Sequence, residues 1–171
     1  ISDRLRRSGF APDDNAAGNP TRQRWKIVAR EKVTIDFLMP PTSADERGGS
    51  LRDLEPDFAA VVAPGLQLAF RDRVLISLSG QTIAGEDATR DIWVCGAGAF
   101  VVLKALAFGL RGENKDAYDL FYVLRNYGAS IENVVECLRP LLDDENAVKA
   151  LEILRRDFLS NNGVGPRRVA A

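Results

Sequence analysis

A few charged side chains stand where charge is least expected. Lys104 is the sole charged or polar side chain in the run from Ala97 to Leu110, AGAFVVLKALAFGL. A helix apolar nearly all round is buried. An ammonium inside it needs a carboxylate, a ligand phosphate or a stem long enough to reach water. Arg111 lies seven residues on, about two turns, and so points to nearly the same side. Two cations on one stripe suit a phosphate group; a structural ion pair with a neighbouring helix accounts for them as well. Asp116 and Asp119, spaced i, i+3 at the start of the next helix, share a face. The helix macrodipole alone favours an acid at Asp116, whereas Asp119 lies further in. The short link from Arg111 to Lys115 makes the two helices an antiparallel hairpin, which brings these aspartates towards Arg111 and Lys104. Asp36 is the only charged residue between Val33 and Met39, on the strand face of Thr34 and Leu38. Such a carboxylate can hold a hard ion such as Mg²⁺; a solvated outward face is the plainer explanation.

The elements that must position these groups change character near residue 96. Ile1 to Phe10 reads as a helix end stopped at Gly9, and Ala11 to Thr21 as a Pro-, Asp- and Asn-rich loop. Alternating apolar residues predict strands over Arg24–Arg30 and Lys32–Met39, the second stopped by Pro40-Pro41. Thr42 to Ser50 reads as loop, and Leu51 to Ala63 as irregular or a short helix. Short strands are expected at Leu66–Phe70, Val74–Ser79 and Asp91–Cys95. Helices follow at Ala99–Leu110, Lys115–Tyr127, Ile131–Leu142 and Glu145–Leu159, with Asn114, Ser130 and Asp144 as N-caps. The expected class is α+β, with a mixed or antiparallel sheet region over 1–96 and a helical bundle over 97–171.

Composition removes several chemistries. The chain of 171 residues has no histidine, which excludes Ser-His-Asp and Cys-His triads and His-ligated zinc within it. A net charge of -1 argues against bulk polyanion binding but leaves room for a local basic patch. Cys95 and Cys137 sit in apolar contexts, as reduced thiols of a cytosolic protein do. No apolar run approaches a membrane span and no leader pattern opens the chain, so a cytoplasmic protein without membrane contact is expected. Gly96-Ala97-Gly98 lacks the third glycine of a dinucleotide loop and suits a tight strand-to-helix turn. Gly49-Ser50 reads as loop, and Arg167-Arg168 as a solvated tail.

The run Lys104-Ala-Leu-Ala-Phe-Gly-Leu-Arg111-Gly-Glu-Asn-Lys115-Asp116-Ala-Tyr-Asp119-Leu resembles the C-terminal motif of the nucleotidyltransferase toxins of abortive-infection (type IV toxin–antitoxin) systems, within the DNA polymerase β-like superfamily. Ile35-Asp36-Phe37-Leu38 looks like the strand that carries their third acidic position. The resemblance implies transfer of a nucleotidyl group from a nucleoside triphosphate, with Mg²⁺, to an acceptor such as RNA, and an antitoxin protein as partner. Carried over by position, the Lys and the Asp that the family requires are Lys104 and Asp116 or Asp119; on this reading Asp36 would belong to the metal site or orient the acceptor, Lys104, Arg111 and Lys115 would hold phosphates, and Asp116 and Asp119 would position Lys104 or the substrate. Family members carry a Gly-Ser loop and an Asp-x-Asp strand upstream, and neither precedes Asp36 in this sequence. The expectation is therefore a truncated nucleotidyltransferase-like chain, with a catalytically inactive nucleotide-binding member as the alternative. A module whose helices dock an antitoxin or a second copy is the non-enzymatic reading.

Overall fold

A computed structural model describes residues 1–29, 31–82 and 84–170. The protein is α+β, with small sheets in its N-terminal part and helices in its C-terminal part. It divides into two compact units, Ile1–Ala63 and Pro64–Ala171. The division falls earlier than the change of texture at 96–97, because Leu68 packs into the helical core and Asp72 bonds the backbone of Gly96 and Ala99.

In the first unit, α1 (Ser2–Arg7) precedes β1 (Ala11–Asp14), β2 (Pro20–Val28) and β3 (Lys32–Asp36). These strands form an antiparallel sheet in the order β1-β2-β3. Then come β4 (Leu38–Met39), β5 (Leu51–Glu55) and β6 (Phe58–Val62), in the order β4-β6-β5, with β4 parallel to β6. Two expectations are corrected. The segment taken as loop after Phe10 contains β1, and Leu51 to Val62 is a hairpin rather than irregular chain. Phe58, Ala59 and Ala60 are successive buried residues, and such an unbroken apolar run hides strand alternation. The predicted strand end at Arg30 lies outside the described residues. Trp25 and Phe58 are fully buried, their ring centroids 6.2 Å apart, and Phe37 meets Phe58 edge-on at 4.7 Å.

The second unit opens with α2 (Leu68–Arg71), where a strand was expected, and the antiparallel ribbon β7 (Arg73–Gln81) and β8 (Asp87–Cys95). The helices are α3 (Ala97–Arg111), α4 (Asn114–Asn126), α5 (Ile131–Leu138), α6 (Glu145–Phe158) and α7 (Val164–Val169), with a 3₁₀ turn at Arg139–Leu141 after α5. The helix expected to continue to Leu142 tightens there, at Pro140, which removes a backbone donor. The tail expected to be solvated carries α7.

α3 is the axis of this unit. Ala99, Val102 and Ala105 pack with Ala147 and Ala150 of α6, Val101 packs with Leu120 and Val134, and Phe108 packs with Ala117 and Ile153. Small residues admit close neighbours. A Cβ on Gly98 would lie 2.4 Å from the Cys137 carbonyl oxygen, and one on Gly96 would lie 2.0 Å from the Asp72 carboxylate. The two glycines thus serve packing at the strand-to-helix turn. Asp72 also accepts a hydrogen bond from the Ala99 backbone N at 2.8 Å, and the Asp72 carbonyl accepts from the Gly96 N at 2.8 Å. It does for α3 what an N-cap side chain does, from outside the helix. Asp72→Ala is expected to destabilise this unit by about 1 kcal/mol, the usual cost of a lost cap, read as a lower helical melting temperature by circular dichroism at 222 nm. An unchanged transition contradicts the capping role.

Candidate functional site

The α3–α4 hairpin gathers the charged residues of the motif. Gly112 takes the left-handed conformation (φ 66°) just past α3, as a helix C-terminus favours, and reverses the chain. Arg111 then stands in the last turn of α3 and Asp116 in the first turn of α4, each at the helix end that suits its charge.

Asp116 is fully buried. Arg111 grips it in a bidentate pair, Nε to Oδ2 at 2.6 Å and Nη2 to Oδ1 at 2.8 Å, and the Lys104 Nζ donates to Oδ1 at 3.2 Å. The Lys104 Nζ also lies 2.6 Å from Asp119 Oδ2, which the Lys115 Nζ reaches at 2.8 Å. The ammonium of Lys104 sits 5.7 Å from the Phe100 ring centroid, within range of a cation–π contact. Each aspartate therefore has two cationic partners. Lys104 is 22 % exposed and Arg111 54 %, so the cluster lies at the wet margin of the helices with its carboxylate turned inward.

Burial opposes the charge on Asp116, but the Arg111 guanidinium and then the Lys104 ammonium outweigh it and hold its carboxyl below the ordinary value. The same balance holds for Asp119, where Lys104 and Lys115 overcome the effect of burial. The hydrogen bond to Asp116 in turn pushes Arg111 upward. Two further residues join the group, one inside the motif and one beyond it. Glu113 contributes a negative charge felt by Arg111. Arg168 of α7 donates to the Asn114 Oδ1 at 3.1 Å, so one member of the Arg167-Arg168 pair expected to be solvated is docked beside the α4 start. Composition alone gave no signal for that contact, because α7 was not foreseen.

Asp36 belongs to the first unit. It closes β3 opposite Arg24, whose Nε and Nη2 donate to its two oxygens at 2.6 and 2.8 Å. Both partners are nearly half exposed, which makes this a weak cross-strand surface pair. Both oxygens of Asp36 are engaged by a cation, and no group of three acidic, cysteine or histidine side chains forms a metal-holding cluster among the described residues. The donor set at Asp36 does not fit Mg²⁺. A second ionic group here escaped the sequence. Asp13, buried on β1, meets the Lys32 Nζ at 2.9 Å and the Lys26 Nζ at 3.1 Å. The hydrogen bond from Lys32, against burial and with help from Lys26, lowers its carboxyl to about 2. Its segment had been read as loop, so no strand face was available on which to place it.

No helix among the described residues is long and apolar enough to cross a membrane. Comparison with protein-family models, curated proteins and solved structures found no match.

Asp116→Asn removes the charge but keeps the shape, leaving Arg111 and Lys104 facing a neutral amide. The expected loss is about 3 kcal/mol, the range for breaking a buried pair, measured by urea denaturation of the helical signal. The pH dependence follows from the lowered carboxyls of Asp116 and Asp119. Their contribution is complete above the unfolded carboxylate value near ~3.9 and is lost as pH falls through the lower folded values. Acidification below about pH 4 should therefore destabilise the wild type more than Asp116→Asn. Parallel acid limbs would contradict the ionised pair.

Proposed function

We propose that the helical unit binds the phosphates of a magnesium–nucleoside triphosphate in a cytoplasmic nucleotidyltransferase-like protein of the toxin–antitoxin, abortive-infection kind. The observation that carries the proposal is the charge balance around Lys104. Three cations, Lys104, Arg111 and Lys115, make ion pairs with two carboxylates, Asp116 and Asp119, so within the paired group positive charge is in excess by one. Asp116 keeps Arg111 and Asp119 keeps Lys115 without any help from Lys104. An ammonium surplus to the neutralisation of its neighbours, in an otherwise apolar stretch of helix, fits an arriving anion. The resemblance of the Lys104–Leu120 run to the toxin motif adds the substrate class.

In the transfer, an acceptor hydroxyl, on RNA in this proposal, attacks the α-phosphorus. The new P–O ester bond forms as the bond to pyrophosphate breaks, and the hydroxyl proton passes to solvent. Lys104, Arg111 and Lys115 neutralise the charge developing on the leaving pyrophosphate. Asp116, shut off from solvent, acts as a positioning residue for Lys104 and Arg111, and Asp119 shares that task. The engaged carboxylate of Asp36 favours a second reading, in which this chain binds the nucleotide, or an antitoxin protein, without turnover.

Titration calorimetry with ATP and GTP in Mg²⁺ tests the proposal. Lys104→Ala should weaken triphosphate binding about tenfold or more, the loss of one charge-assisted phosphate contact, while the variant stays folded because both aspartates retain a cation. Unchanged affinity in the folded variant, or no binding by the wild type, contradicts it. Labelled triphosphate incorporated into total RNA supports transfer, whereas binding without incorporation supports the second reading.

A further inference from the structure

The ribbon of β7 and β8 has no third strand among the described residues, and all nine residues of β7 are exposed. Alternation divides its side chains between two faces. Val74, Ile76 and Leu78 lie on one face, 51 %, 39 % and 53 % exposed, with Ile92 opposite Ile76. Arg73, Leu75, Ser77, Ser79 and Gln81 lie on the other, where Ser77 bonds Asp91, Ser79 bonds Thr89 and Arg73 covers the Trp93 ring. A ribbon of two strands is marginal in water, and three or more strands with an apolar face are needed for independent stability.

The backbone shows where another strand can add. At the two ends of the ribbon the Thr82 N donates to the Glu86 carbonyl and the Gly96 N to the Asp72 carbonyl, each at 2.8 Å. The even-numbered residues of β7 therefore bond to β8, and the N–H and C=O groups of Arg73, Leu75, Ser77, Ser79 and Gln81 point outward. Sheet edges are ordinarily guarded by Lys, Pro, other charges, bulges or short length. β7 has none of these along its middle. It is nine residues long in unbroken register, without Pro, Lys or an acid, and its one charge is Arg73 at its start. β8 by contrast carries Asp87, Arg90 and Asp91.

We infer that β7 pairs with β7 of a second copy, antiparallel about a two-fold axis at Ser77, so that two ribbons become one four-stranded sheet. Centred there, all nine residues align. Odd-numbered residues face odd-numbered ones, as the outward groups require, and supply about ten hydrogen bonds, as many as a standard interface carries. Ile76 then meets Leu78 of the second copy, Leu75 meets Ser79 and Arg73 meets Gln81, so no like charges oppose. Charge excludes the other edge, because the same pairing of β8 sets Asp91 against Asp91 of the second copy, which destabilises a sheet. That asymmetry also closes the assembly. Once the β7 edges are joined, only the charged β8 edges remain, and association stops at two. The occupant is a second copy because the strand complements itself in length, in charge and in the phase of its free hydrogen bonds. The inference involves neither Lys104 nor nucleotidyl transfer.

Sedimentation velocity of the full chain, from micromolar to millimolar concentration, should show a reversible monomer–dimer equilibrium with no species above twice the 18.7 kDa chain mass. Ser77→Pro removes an outward N–H and no donor of the ribbon itself, a position at which an edge strand admits proline. It should weaken dimerisation about tenfold or more, the loss of a pair of ladder hydrogen bonds. Ser79→Lys supplies the missing edge guard and should weaken it likewise in a chain whose circular dichroism matches the wild type. Amide hydrogen exchange locates the contact: Leu75, Ser77 and Ser79 should be protected in concentrated and not in dilute solution, whereas Ile76 and Leu78 stay protected in both. A monomer at every concentration, species larger than a dimer, a dimer that the folded variants leave intact, or concentration-dependent protection in β8 instead of β7 overturns the inference. No triphosphate enters these measurements, so their outcome is separate from that of the calorimetry.

Discussion

A carboxylate with no solvent contact must be neutralised where it stands, and Asp116 is such a carboxylate. Its desolvation is tolerable because a guanidinium meets both oxygens; the Lys104 ammonium meets one of them a second time. The consequences reach across the hairpin. Arg111 must end α3, Gly112 must turn the chain back, and α4 must present Asp116 inward from its first turn. With that register set, Asp119 falls within reach of Lys104 and Lys115. The stripe at Tyr118, Phe121 and Tyr122 then faces the opposite way, into solvent.

The same helix carries the rest of the unit. α3 packs on neighbours through alanines and valines, so its position is fixed by close approach more than by large side chains. Asp72 anchors its N-terminus and Arg111 its C-terminus, and both act through charge on a helix end. A Lys in the middle of such a rod has few choices of direction. Lys104 takes the one that leads to the aspartates, with its stem among apolar neighbours and its ammonium at the margin.

The helical unit was largely legible in the sequence, and the sheet region only in part. The spacing of Lys104, Arg111, Asp116 and Asp119 on two helices with a short link foretold their meeting, since so short a connection admits few geometries. Gly96 and Gly98 stand at the strand-to-helix turn that the sequence suggests; that their missing Cβ atoms make room for the Asp72 carboxylate and the Cys137 carbonyl has no signal in the local sequence. β1 was missed because Pro12 and two aspartates disguise it, although Asp13 is buried and paired. The β5–β6 hairpin was missed because Phe58 to Ala60 runs apolar without alternation. α2 and α7 are too short for periodicity to show. Asp36 was correctly placed on a strand face, yet its partner Arg24 sits on a neighbouring strand whose register no local pattern reveals.

The central claim is that the Lys104 ammonium, held between two aspartates that do not need it, receives a phosphate. Its ¹⁵Nζ resonance, assigned by comparison with Lys104→Arg and followed while inorganic tripolyphosphate is added to the full chain, tests that claim most directly. The account predicts a saturable shift of this signal, larger than that of the other lysine ammonium groups. A Lys104 signal that stays fixed while the protein remains folded would leave the cluster a structural ion pair and nothing more.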